Sequence, residues 1–386
     1  MDYLLIDDKN RRENLLPMTY TRPVAELRIG ILTLREKWQR MLPGSYSYEP
    51  NGYLSEIFPI RCDRSSDDTV SIASDVIPTP DLASAIASLA PGQALYDSDD
   101  NPIAVRGAEQ TKLTTGMAVR RVENLTDIFT LNGVEIEADF ALLTAGRRSA
   151  PVSPTVTVVG DPAKLFIEQG ATVECCAINL THGPVYIGAD AEVMECSALR
   201  GPIAVCEHSF VNMGSRIYGD TTIGPWSKVG GELNNVVIHS YSNKAHDGFL
   251  GNAVIGSWCN LGAGCVASNL KNDYTEIKLW NYPSHRFLRT GLQFCGLIMG
   301  DHSKAGINTM FNTATVVGVG VNIHGTGFPR NFVPSFSEGG TAGFSDVSMT
   351  KFFDVATRVM ARRGIELTDA DRRMFYAIRD AAENYK

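Results

Sequence analysis

Residues 187–229 read IGADAEVMECSALRGPIAVCEHSFVNMGSRIYGDTTIGPWSKV, and the spacing within this stretch decides the fold. Counting in sixes from Ile187 reaches Val193, Leu199, Val205, Val211, Ile217, Ile223 and Val229, eight branched aliphatic residues in succession. The register breaks after Val229. It resumes two residues out of phase at Phe249, Ile255, Leu261 and Ala267, and again at Met299, Ala305, Phe311, Val317 and Ile323. Glycine often follows the aliphatic position, as in Ile187-Gly188, Ile223-Gly224, Val229-Gly230, Ile255-Gly256 and Leu261-Gly262.

A period of six fits neither a 3.6-residue helix nor the simple alternation of a half-buried strand. It fits a parallel β-helix, in which each short strand points one aliphatic side chain inward before the chain turns a corner. Three such strands make a triangular coil of about 18 residues. Small residues let the backbone turn at the corners. Stacked coils then bury a continuous aliphatic column, each supporting its neighbours. The hexapeptide form predicts a left-handed parallel β-helix over residues 151–345. Two interruptions are where function is expected: Asn234 to Gly248, where the phase shifts, and Ser268 to Phe294, too long for a corner and therefore a loop projecting from the prism.

On either side the character changes. Residues 1–150 mix strand and helix patterns, which predicts an α/β domain. Tyr3 to Ile6 reads as a buried strand, Leu27 to Met41 has helical spacing, and Asp81 to Leu89 follows a proline-rich turn as a short helix. Ala94–Tyr96 and Ile103–Val105 flank a turn and read as a hairpin. Residues 346–386 form a helical tail, with helical periodicity over Val347 to Arg363 and Asp369 to Asn384. The 386 residues suit two to three domains of about 150. Apolar residues make up 44% and charged residues 20%, the mark of a folded chain with a real core. The net charge of −8 and the lack of a basic block argue against nucleic acid as a partner. No run approaches the roughly 18 apolar residues of a membrane-crossing helix. The first residues lack the features of a signal peptide. The eight cysteines show no zinc spacing, so free thiols in a reducing cytoplasm are expected.

At the first interruption the chain reads Asn243-Lys244-Ala245-His246-Asp247-Gly248-Phe249-Leu250-Gly251-Asn252-Ala253-Val254-Ile255-Gly256, followed by Asn260-Leu261-Gly262-Ala263-Gly264 and Ser268-Asn269. These elements, spread over 27 residues, resemble the acetyltransferase half of the bifunctional family that makes UDP-N-acetylglucosamine. That family joins a sugar-1-phosphate uridylyltransferase domain to a left-handed β-helix with glucosamine-1-phosphate acetyltransferase activity. The chain is closer still to a shorter variant of that family. Arg22-Pro23-Val24-Ala25-Glu26-Leu27-Arg28-Ile29-Gly30-Ile31-Leu32-Thr33 and Gly327-Phe328-Pro329 carry that likeness. The family usually spaces Lys-x-x-His where this chain has Lys-x-His. It places a lysine where Asn234 stands and a tyrosine where Phe249 stands.

The resemblance implies acetyl transfer from acetyl-CoA to an amino-sugar 1-phosphate. His246 would be the catalytic base, a role suited to imidazole because the attacking amine must shed a proton near neutral pH. Asn269 would hold the amine or the developing oxyanion, Asn260 would contact the sugar, and the N–H of Ala263 would face the acetyl carbonyl. Arg216 and Lys244, or Lys271, are candidates to hold the sugar phosphate. Arg286, Arg289, Lys304 and Arg330 are available for the phosphates of coenzyme A. The family's homotrimer, with its acetyl-CoA site between neighbouring prisms, is the expected assembly.

In the N-terminal region, Leu16-Pro17-Met18-Thr19-Tyr20-Thr21-Arg22-Pro23 resembles the second half of a nucleotidyltransferase phosphate loop. This makes Thr19, Arg22 and Arg28 candidate nucleotide contacts. Asp75 corresponds to the strand-end carboxylate that binds Mg²⁺ in such enzymes. The glycine-rich half is missing, with Asp7-Asp8-Lys9-Asn10-Arg11-Arg12 in its place, so nucleotidyl transfer is the less supported activity. A trimeric protein that binds sugar nucleotides without catalysis, or an acyltransferase for another amino sugar, are the alternatives.

Overall fold

The computed structural model describes residues 1–50 and 52–386. They form two compact units, one of residues 1–27, 32–125 and 369–377, the other of residues 28–31, 126–368 and 378–386.

In the first unit, strands β1 (Asp2–Ile6), β2 (Ser45–Glu49), β3 (Thr69–Ala73), β4 (Gln93–Tyr96), β5 (Pro102–Arg106) and β6 (Thr111–Thr114) make one sheet in the order β2-β1-β3-β5-β4-β6. β2, β1 and β3 run parallel, and β5 is antiparallel to both β3 and β4. Leu4 and Leu5 of β1 are fully buried, as a central parallel strand requires. Helices α1 (Lys9–Asn14), α2 (Leu34–Met41) and α3 (Pro80–Ala87) belong to the same unit, as does the helical segment 369–377. Trp38 of α2 and Leu82 and Ile86 of α3 join Leu5, Val70 and Ile72 in its core.

The helix expected from Leu27 to Met41 forms only from Leu34 onward. Gly30, at φ +86°, ends any helical path before it. Thr33 then caps α2 reciprocally with Glu36, so the sequence carries its own start signal there.

The second unit is built on a column, a parallel β-solenoid whose coils stack in register. Ile187, Val205 and Ile223 lie directly above one another, 18 residues apart, and the inward residues from Ile187 to Val229 are at most 2% exposed. The fold class predicted from the hexad is therefore present, with an α/β region before it and helices after it. The coil length is not constant. Ile223 pairs with Ile238 and Val229 with Lys244, fifteen residues on, which accounts for the break in phase. Ile255 pairs with Met299, 44 residues on, because the second interruption leaves the column at this point. That projecting loop carries an antiparallel hairpin, Lys278–Asn281 with Arg286–Arg289.

Phe249 corrects the expected pattern. It faces outward beside Glu232, and its neighbour Leu250, 1% exposed, takes the inward place beside Leu233. The shortened coils shift the alternation by one residue, which turns every side chain to the other face.

Two further helices, α4 (Asp127–Thr130) and α5 (Asn132–Thr144), belong to the solenoid unit and had no signal in the hexad pattern. Asn132 donates to Thr222 Oγ1 at 3.0 Å and accepts from the Gly30 N–H at 2.7 Å. Asp139 accepts from the Ile31 N–H at 2.8 Å. After the column come α6 (Met349–Ala361) and α7 (Asp369–Ala382). No helix among the described residues is long and apolar enough to cross a membrane.

Candidate functional site

The site begins at the first shortened coil. Because that coil has fifteen residues, the inward position above Val229 falls on Lys244, which sits 2% exposed within the aliphatic column. Its ammonium donates to the carbonyls of Gly230 at 3.0 Å and His246 at 2.6 Å. Burial pushes its pKa down to about 8. Lys244 was a candidate for the sugar phosphate. Instead its charge is turned inward, because the column offers it two carbonyls and the surface is out of reach.

The consequence is a fixed corner. His246 stands exposed on it, and its imidazole makes no hydrogen bond with any described residue. Gly248, at φ +127°, closes the turn, and a Cβ there would lie 2.0 Å from the carbonyl oxygen of Cys265. The coils are therefore in tight contact. The Gly264 N–H donates to the Asp247 carbonyl at 3.0 Å, which sets Ala263 in the next coil over His246. Ala263 accepts from the Asn308 N–H through its carbonyl, and its own N–H has no partner among the described residues.

A second group lies along the strand that leaves this corner. Asn269 donates through Nδ2 to Asn252 Oδ1 at 2.8 Å, and a Cβ on Gly251 would sit 2.6 Å both from that Nδ2 and from the Phe249 ring. Phe249, Asn252 and Asn269 thus share one patch, and only glycine at 251 leaves room for it. Arg216 stands further down the same strand ladder, exposed, with its guanidinium 3.3 Å from Glu232. Asn260 is placed elsewhere. It lies on the face that carries Lys228, Asn243 and Lys304, in register with Asn243 below and Lys304 above.

In the first unit the candidates do not form an open site. Thr19 donates to the Arg12 carbonyl at 2.6 Å, and Arg12 donates back to the Thr19 carbonyl at 3.3 Å. Arg22 is buried, whereas Arg28 belongs to the solenoid unit and donates to the Ile31 carbonyl. Asp75 is buried at the end of β3, where Arg121 approaches at 3.2 Å and Arg11 at 3.5 Å. Desolvation raises its pKa and the two guanidinium groups oppose that rise. A Mg²⁺ ion at Asp75 would face both cations at hydrogen-bond range, so this arrangement does not fit the metal. Where a phosphate loop would open, Asp8 caps α1 by accepting from the Arg11 N–H at 2.9 Å. A carboxylate thus stands at the helix end that a phosphate would use.

Comparison with known proteins agrees in part with this picture. Residues 3–148 match the family described as sugar nucleotidyl transferase. A 118-residue stretch is 28% identical to the bifunctional protein GlmU of Methanocaldococcus jannaschii, covering 31% of this chain and 26% of that protein. A 144-residue stretch is 28% identical to the bifunctional sugar-1-phosphate nucleotidylyltransferase/acetyltransferase of Sulfurisphaera tokodaii, covering 37% of this chain and 35% of that one. The matches thus span about a third or less of either relative. Among solved structures, the N-acyltransferase AntD from Bacillus cereus, in complex with dTDP and coenzyme A, aligns over 53% of this chain and 91% of its own. Its identity is 12% and its TM-score 0.23, too slight a likeness to bear on the fold or the site. The chain resembles the bifunctional nucleotidyltransferase/acetyltransferase family, with a sugar nucleotidyl transferase region at residues 3–148 and a parallel β-solenoid after it.

Proposed function

We propose that the chain is a transferase of sugar-nucleotide biosynthesis that moves an acyl group from an acyl-CoA to the amine of a sugar phosphate, glucosamine 1-phosphate being the first substrate to try. The observation that carries this reading is the corner at His246: an exposed imidazole on a backbone pinned by Lys244, beneath the N–H of Ala263, both without a hydrogen-bond partner among the described residues.

The chemistry follows from those groups. His246 takes a proton from the neutral sugar amine as it attacks. The amine nitrogen bonds to the thioester carbonyl carbon, and the carbonyl electrons move onto oxygen. The Ala263 N–H donates to that oxyanion. Collapse breaks the carbon–sulfur bond, and the proton held by His246 leaves with the coenzyme A thiol. On this reading Asn269, held by Asn252, binds the amine or hydroxyl groups of the sugar, and Arg216 meets its phosphate.

We assign no nucleotidyl transfer to the first unit, since Asp75 is paired with two arginines and Asp8 closes the end of α1. The test is release of coenzyme A from acetyl-CoA over a panel of amino-sugar 1-phosphates. Turnover with at least one of them, lost in His246→Ala, supports the reading. No turnover with any member of the panel overturns it.

A further inference from the structure

On the solenoid face that carries Asn260 there is a cleft of about 480 Å³, closed on one side by Val359, Arg362 and Arg363 at the end of α6. The face contributes Lys228 and Lys304 to its wall. Among the described residues none of these four cations has a carboxylate within 4 Å. Their contacts leave donors to spare: Lys304 donates to the His302 carbonyl at 3.0 Å, Arg363 to the Trp226 carbonyl at 3.3 Å, and Lys228 stands 4.4 Å from the centre of the Phe210 ring. Four like charges around one cavity repel each other, and an anion between them removes that repulsion.

Two neutral features narrow the chemistry. Asn243 and Asn260 line the cleft, amide side chains that can both donate and accept. Tyr241 and Trp258 also line it, stacked on one another at 4.2 Å as part of an aromatic ladder along one corner of the column. Cations, amide side chains and aromatic edges together suit a phosphorylated nucleoside better than a bare inorganic anion. The cleft's wall also includes Ala245, the residue before His246.

We infer that this cleft binds the phosphorylated nucleoside part of a ligand, its phosphates between Lys228, Lys304, Arg362 and Arg363 and its base or ribose against Asn243 and Tyr241. Two sources share that chemistry, the nucleotide half of coenzyme A and a sugar nucleotide. The acyl-transfer reading bears only on which of them it is.

The experiment is calorimetric titration of the full chain with coenzyme A, adenosine 3′,5′-bisphosphate, UDP and inorganic pyrophosphate. It is repeated on the Arg362→Ala/Arg363→Ala double variant and on His246→Ala. Arg362 is exposed just past the end of α6, whereas Arg363 is half-buried against Trp226, so an unchanged melting temperature is required of the double variant, and Arg362→Ala alone repeats the test with the Trp226 contact intact. Expected is binding of at least one nucleotide, weakened about tenfold or more in the double variant and unchanged in His246→Ala. Binding of coenzyme A and the bisphosphate but not UDP identifies the acyl donor, and the reverse identifies a sugar nucleotide. Failure of every nucleotide to bind below about 5 mM, binding of pyrophosphate as tight as any nucleotide, or equal affinity in the double variant overturns the inference. Nucleotide binding with no coenzyme A release would sink the acyl-transfer reading and leave the cleft standing.

Discussion

The ammonium of Lys244 donates to the main-chain carbonyl of His246 at 2.6 Å, two residues along the same corner. A charged side chain inside an aliphatic column is costly to desolvate, and here that cost is offset by two carbonyls. One of them belongs to the residue that presents the proposed base. On the proposed reading Lys244 is accordingly a positioning residue, its ammonium engaged by two carbonyls.

Lys244→Met keeps the volume of the column but releases the corner. Acyl transfer should fall in kcat with KM little changed, and the pH profile of the surviving activity should keep its shape. The variant should also alter the stability curve. In the folded chain the lysine titrates near 8, below its ordinary 10.5, so between those values the unfolded chain binds more protons and stability rises with pH. A shift of this size corresponds to about 3 kcal/mol, fully regained only above pH 10.5. Denaturant unfolding at pH 7.5 and 10 should show the rise in the parent and its absence in Lys244→Met. An identical rise in both would remove the assignment.

His246→Ala should lower the acyl-transfer rate by about 100- to 10,000-fold while leaving the melting temperature nearly intact, because the side chain is exposed and lies outside the buried column. Ile223→Ala should do the opposite. Ile223 is fully buried in the column, and the cavity left behind should destabilise the fold by about 2–5 kcal/mol before it touches the chemistry. Thermal melts and coenzyme A release, measured on both variants, separate the two roles.

The column was legible because its period is a backbone property: one inward residue per six-residue side, repeated until a coil changes length. Where the coil shortens, the same rule misplaces residues, and Phe249 rather than Leu250 is read as inward. His246 was singled out by its motif, and the structure adds the buried lysine that bonds to its carbonyl. The cationic cleft had no signature along the chain. Lys228 and Lys304 are separated by two coils and the long loop, and Arg362 and Arg363 reach the face from α6. Their common surface exists only once the coils are stacked. Lys244 was misjudged for a related reason, since a lysine in sequence looks solvated until its position in the register is known. The one cue available was the 15-residue step from Val229, which places it where an aliphatic residue should be.

In the first unit Asp7 sits buried at the end of β1, accepting from the Val24 N–H at 3.1 Å. Burial raises its pKa to about 6. Because the folded chain then holds its proton more tightly than the unfolded chain, stability is greatest below about pH 4 as far as this group is concerned and falls as pH rises to about 6. Asp7→Asn keeps an acceptor for Val24 without the charge. It should therefore raise the melting temperature at pH 7 and leave it unchanged at pH 4. Equal melting temperatures at both values would show that the carboxylate is better solvated than its burial implies.

The corner that carries His246 also bears on assembly. Down the same edge of the column stand Met213, 69% exposed, and Ile307, 71% exposed, in the turns that follow Phe210–Val211 and Lys304–Ala305. Large apolar side chains held this far into water flank the proposed site below and above, and covering them stabilises contact with a second copy by about 25 cal/mol per Å² buried. A triangular column presents equivalent edges to copies arranged around a threefold axis, so a homotrimer that closes the site at this edge is the expected state. Light scattering should give three times the chain mass of 42.0 kDa at micromolar concentration. Met213→Glu/Ile307→Glu, which changes only exposed side chains, should release monomers that keep the solenoid's circular dichroism and lose acyl transfer. A double variant that remains trimeric and fully active would move the interface to another face, and a monomeric parent with full activity would mean that one chain builds the whole site.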